Sequence, residues 1–131
     1  MPAPQPHRLL IVDDDPQVRA LVRAVLLKHG FPTVEASDGM SALSTLKSMD
    51  GAIGLMVSDF SMPGLDGEAL ARLVKAQFPS TPILLMSSER TACEAVSVDV
   101  FLPKPFLPSV LADAVRRLHK KQLHSEKKQC D

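Results

Sequence analysis

Tryptophan and tyrosine are both absent from the 131 residues, and phenylalanine occurs five times. The chain therefore offers few aromatic faces for stacking on bases or flat cofactor rings. Cysteine is scarce: Cys93 and Cys130 lie far apart and form no CxxC pattern. That excludes a disulfide scaffold and a cysteine-based zinc site, and leads us to expect a reducing cytoplasm. Charge of one sign is not in excess, because 15 Lys and Arg residues balance 15 Asp and Glu. No global field draws the chain toward nucleic acid or an anionic membrane. Long apolar runs are missing too. The start, MPAPQPHRLLIV, is too short in hydrophobic residues for a signal-peptide core or a membrane span. The four histidines suggest no ligand pair, since His119 and His124 are five apart rather than four. There is no internal repeat.

What is present is 45% hydrophobic, enough for one domain with a real core. Residues 1–7 read as a disordered lead-in, 8–122 as the domain and 123–131 as a polar tail. RLLIV (8–12) reads as a buried strand. Asp15 and Pro16 form a helix start, as N-cap and first helical residue. Val18, Leu21, Val22, Val25 and Leu26 then give one apolar face. PTVEA (32–36) is a second strand, and Ser37 or Asp38 caps a helix bearing Leu43, Leu46 and Met49. GLMVS (54–58) is the third strand, and Asp66 caps a helix that runs to about Phe78. ILLM (83–86) is the fourth strand. A short fourth helix is expected from about Arg90 to Val96, then a fifth strand over 98–102. A last helix starts at Pro108 and carries Val110, Leu111, Ala114, Val115 and Leu118. Met40, Met49, Met56, Met62 and Met86 read as packing residues.

Five short apolar strands alternating with helices predict an α/β fold: a doubly wound parallel sheet, flavodoxin-like, in the order 2-1-3-4-5 with helices on both faces. In such a sheet all strands end on one edge. Asp13, Asp14 and Asp15 follow the first strand, Asp59 the third, Ser87 and Ser88 the fourth, and Lys104 the fifth. Asp13, Asp14 and Asp59 fall where strand order reverses, the place where open α/β sheets bind ligands. Three carboxylates there repel one another unless a cation sits among them. Oxygen ligands alone favour Mg²⁺ or Mn²⁺. A carboxylate nucleophile, a lysine, a hydroxyl and a hard cation are together the apparatus of phosphoryl transfer through an aspartyl phosphate.

With VDDDP, SDFSMPGLDG, a hydroxyl residue after the fourth strand and KPF in order, the chain resembles the response-regulator receiver domains of two-component signalling, the CheY-like superfamily. The resemblance runs from about Arg8 to His119. It implies that Asp59 is the phosphoacceptor, taking a phosphoryl group from the phosphohistidine of a sensor histidine kinase or phosphotransfer protein. It implies that Asp14 binds Mg²⁺ directly, that Asp13 acts through water, and that the Ser61 carbonyl is a further ligand. Ser87 would bond the phosphoryl group, Lys104 would pair with its oxygens, and Phe101 would be the aromatic switch. The Lys104–Pro105 bond is expected to be cis.

One departure stands out: between Ser87 and Lys104 the chain is a few residues short, with SVDV in place of a glycine turn. The output surface near the fourth helix is the part this affects. The basic tail reads as a solvated helix end, with no nucleic-acid motif beside it. No output domain follows in these residues, so the expectation is action through protein contacts, as a monomer or weak homodimer, or derivation from a longer protein. The reading is of a signalling domain rather than an enzyme. A small haloacid-dehalogenase-like phosphatase would use Asp13 as nucleophile in a DxD pattern, but it needs a larger core and a cap. A flavodoxin needs a phosphate cradle and ring-stacking aromatics. A pseudo-receiver working without phosphorylation is the remaining alternative.

Overall fold

A computed structural model of the chain describes residues 7–49, 52–88 and 98–128, with side chains up to His119. Its elements run β1 (Arg8–Val12), α1 (Pro16–Lys28), β2 (Thr33–Ala36), α2 (Gly39–Ser48), β3 (Ile53–Asp59), α3 (Gly67–Gln77), β4 (Ile83–Ser87), β5 (Val100–Pro103) and α4 (Pro108–Lys128). The strands form one parallel sheet in the order β2-β1-β3-β4-β5. This is the flavodoxin-like order that the alternating pattern predicts. The short helix expected from Arg90 to Val96 lies outside the described residues.

The reason these short strands are so apolar is coverage on both faces. Leu9 and Ile11 of β1 point into a core with Val22, Val25 and Leu26 of α1 and Leu111, Val115 and Leu118 of α4. Leu10 and Val12 point the other way, onto Leu43 and Leu46 of α2 and Leu70 and Val74 of α3. Every residue of β3 and β4 is buried, whereas the edge strands β2 and β5 are only partly so. Each fully buried leucine or isoleucine contributes about 1.5–3 kcal/mol relative to exposure.

Helix starts are written locally. Asp15 accepts from the Gln17 amide at 2.9 Å with Pro16 at the first position. Asp38 accepts from Ser41 N at 2.7 Å, and Asp66 from Ala69 N at 2.9 Å. One expectation shifts. Leu21 and Val110, placed on apolar faces by spacing, are 54% and 44% exposed, as is Met40 at 67%. Periodicity marks a stripe, but the width of the facing groove decides which margin residues are covered. Just before β1, the His7 side chain lies against Gly54. The last helix runs to Lys128.

β5 begins at Val100 rather than at residue 98, because Asp99 is used at the strand entrance. Its carboxylate accepts from Ile83 N and from Lys75 Nζ, each at 2.8 Å, and its own amide donates to Ile83 O at 3.1 Å. One side chain thus ties the start of β5 to β4 and α3.

Candidate functional site

The strand ends set the site. Asp13 directly follows β1, and its amide donates to Ala36 O at 3.3 Å. Its carboxylate Oδ1 accepts from Asp15 N at 2.9 Å, which closes the loop into α1. Asp59 is the last residue of β3, one residue further inside the strand than the spacing suggests. Ser87 ends β4 opposite Pro103, and its carbonyl accepts from Lys104 N at 2.8 Å. The Lys104–Pro105 peptide is cis.

These positions bring the acidic groups together. Asp13, Asp14 and Asp59 each offer a carboxylate oxygen, and the three oxygens lie within 4.8 Å of one another. Lys104 Nζ donates to Asp59 Oδ1 at 3.0 Å and lies 3.8 Å from Asp13 Oδ2. The first is a charge-assisted hydrogen bond; the second is too long to be one. Asp13 Oδ2 is accordingly a buried oxygen without a hydrogen-bond partner. Asp13 is buried and Asp14 exposed, so the cluster has a closed side and an open one. Burial pushes the Asp13 carboxyl above its ordinary value, and the neighbouring Asp59 and Asp14 charges act in the same direction. The Asp15 amide and the Lys104 ammonium oppose that shift.

Three carboxylates thus face one ammonium. A hard divalent cation fits this donor set, because it would give the orphaned Asp13 oxygen a partner and offset the repulsion. Ser61 stands exposed in the loop after β3. Ser87 is buried beside the Lys104 backbone. Phe101 lies half-buried on β5 in register with Leu85, against the core that α2 and α3 cover. The expected site residues on β1, β3, β4 and β5 therefore share one sheet edge, with Phe101 set back into the sheet.

Two residues were not singled out by sequence. Gly67 opens α3 and packs on the β3 end: a Cβ there would fall on the Asp59 carbonyl oxygen and 2.7 Å from Phe60 Cα. Its signal in the sequence is a glycine directly after the Asp66 cap. Arg19 donates to the Asp13 carbonyl at 2.7 Å. Its signal was a basic residue in the first turn of a helix, where the dipole disfavours positive charge.

Residues 9–116 match the response regulator receiver domain family. Protein PetR of Rhodobacter capsulatus is 37% identical over 116 residues, covering 85% of this chain and 47% of PetR. The chain thus spans about half the length of that curated relative. The receiver domain of NtrX from Brucella abortus superposes with a TM-score of 0.76 at 31% identity, over 86% of this chain and 98% of that one. TrrA of Thermotoga maritima, solved in complex with Mg(2+)-BeF, gives a TM-score of 0.77 at 27% identity, over 86% and 98%. By sequence match, strand order and shared architecture, the chain belongs to the response regulator receiver domain family, the signalling domains of two-component systems.

Proposed function

We propose that this receiver domain accepts a phosphoryl group on Asp59 from the phosphohistidine of a sensor histidine kinase or phosphotransfer protein. The observation that carries the reading is the 3.0 Å contact between Lys104 Nζ and Asp59 Oδ1 within a cluster of three carboxylates. In the reaction an Asp59 carboxylate oxygen forms a bond to phosphorus as the phosphorus–nitrogen bond of the donor breaks. The leaving imidazole takes up a proton, and the product is an acyl phosphate.

Asp13 and Asp14 would hold Mg²⁺ with Asp59, and the Ser61 carbonyl is the further ligand the family pattern implies. When bound, the ion supplies charge neutralisation for the phosphoryl oxygens. Lys104 holds Asp59 in place before transfer and takes the role of pairing with phosphoryl oxygens after it. That position rests on backbone geometry, since the Lys104 amide is fixed to the Ser87 carbonyl. The Ser87 hydroxyl, at the end of β4, is the donor placed to follow the phosphoryl group. Phe101 is the ring whose half-buried site on β5 responds to that movement.

Incubation with acetyl phosphate and Mg²⁺ should raise the intact mass by one phosphoryl group in the wild type and not in Asp59→Asn. A mass gain that survives the substitution would reject Asp59 as the acceptor.

A further inference from the structure

The loop that carries Asp13 and Asp14 is held at more points than a capping turn requires. One is the bond from Asp15 N to Asp13 Oδ1. The other comes from Arg19, one turn into α1. Side chains on a helix lean toward its N-terminus. That brings the Arg19 guanidinium back over the loop, where it donates to the Asp13 carbonyl at 2.7 Å. Its Nε reaches Glu35 Oε1 on β2 at 3.3 Å. A cation in the first turn is opposed by the helix dipole, so these two partners are what keep it there. Only 19% of its side chain is exposed. Arg23, by contrast, reaches Glu35 Oε2 at 3.3 Å with a side chain that is 54% exposed.

We propose that Arg19 is a positioning residue for the divalent cation. It fixes the Asp13 carbonyl while the Asp15 amide fixes the Asp13 carboxylate, so Asp14 is held between two restrained residues. Arg19 does not touch the ion; it lowers the cost of ordering the loop that does. A planar guanidinium suits this, because its donors point to a carbonyl on one side and a carboxylate on the other. The inference rests on the proposed Mg²⁺ site.

The test is calorimetric titration of the whole chain with MgCl₂, and with MnCl₂, at neutral pH. Arg19→Met keeps the apolar stem and loses the donors; it should weaken binding about tenfold, the size of an outer-shell loss. Arg19→Ala should do the same. Arg19→Lys keeps a donor for the carbonyl and should come back to within about threefold of wild type. Glu35→Gln cuts the ion pair to α1 but leaves the Asp13 carbonyl bond, and should also stay within about threefold. Metal-free melting temperatures report the purely structural part. Equal losses for Arg19→Met and Glu35→Gln would show that Arg19 serves only the α1–β2 cross-link, and would overturn the proposal. So would wild-type affinity in Arg19→Met. A wild type that binds no Mg²⁺, or an Asp14→Asn that binds as well as wild type, would instead reject the proposed metal site, and this inference with it.

Discussion

Asp13 shows how a residue can be costly to the fold at the place where a cation is proposed to bind. Its side chain is buried, one oxygen has no hydrogen-bond partner, and two more carboxylates stand beside it. Its pKa in the folded protein lies above the ordinary 3.8, chiefly through burial. As pH rises from below that value, the unfolded chain loses this proton first while the folded chain keeps it. The contribution of Asp13 to stability therefore falls with pH, then levels off once the folded carboxyl has ionised. In metal-free protein, Asp13→Asn should remove that slope and raise the melting temperature at neutral pH by a few degrees. Differential scanning calorimetry in the presence of a chelator measures it. A variant melting at or below wild type at neutral pH would contradict the account. Asp38 runs the other way. The Ser41 amide holds its carboxyl below the ordinary range, so its capping contribution is present at neutral pH and lost as pH falls through the folded pKa.

At the scale of elements, the junction between β3 and α3 is a close backbone approach. Gly67 N donates to Phe60 O at 2.8 Å, and the Gly67 Cα faces the Asp59 carbonyl with no room for a methyl group. Helix propensity alone would favour alanine there by about 1 kcal/mol. The clash is with backbone, which cannot rotate away, and overpacking of this kind costs about 1–3 kcal/mol. Gly67→Ala should therefore destabilise the protein on balance. Urea unfolding at fixed pH checks it, and a variant as stable as wild type would show that α3 can retreat from β3. The β4–β5 connection shows a different economy. Asp99 joins β4, β5 and α3 through two accepted hydrogen bonds and one donated bond, where the sequence showed only a missing glycine turn.

For the whole molecule, the site and the core are linked through the sheet. The carboxylates sit at the ends of β3, the central strand, and of its neighbour β1, so a ligand that joins them should stabilise the entire fold. A ligand that binds only the folded state adds RT ln(1 + [L]/Kd), about 2.7 kcal/mol at a hundredfold excess over Kd. Saturating Mg²⁺ should raise the wild-type melting temperature by several degrees and leave Asp14→Asn nearly unmoved. An unchanged wild-type transition at saturating Mg²⁺ would contradict the proposed site.

Much of this architecture was legible in order along the chain. Hydrophobic runs and helix caps are short-range signals, so the five strands, the Asp15, Asp38 and Asp66 caps and the order of the sheet could be read from local chemistry and the handedness of crossovers. The gathering of Asp13, Asp14, Asp59 and Lys104 also followed, because parallel strands must end on one edge. Packing decided the rest. Leu21 sits outside the core although its spacing is right, Gly67 is needed where two backbones meet, and Arg19 reaches a carbonyl six residues back. These depend on distances between elements, and a linear pattern carries period and polarity but not the gap between a helix and the strand it covers.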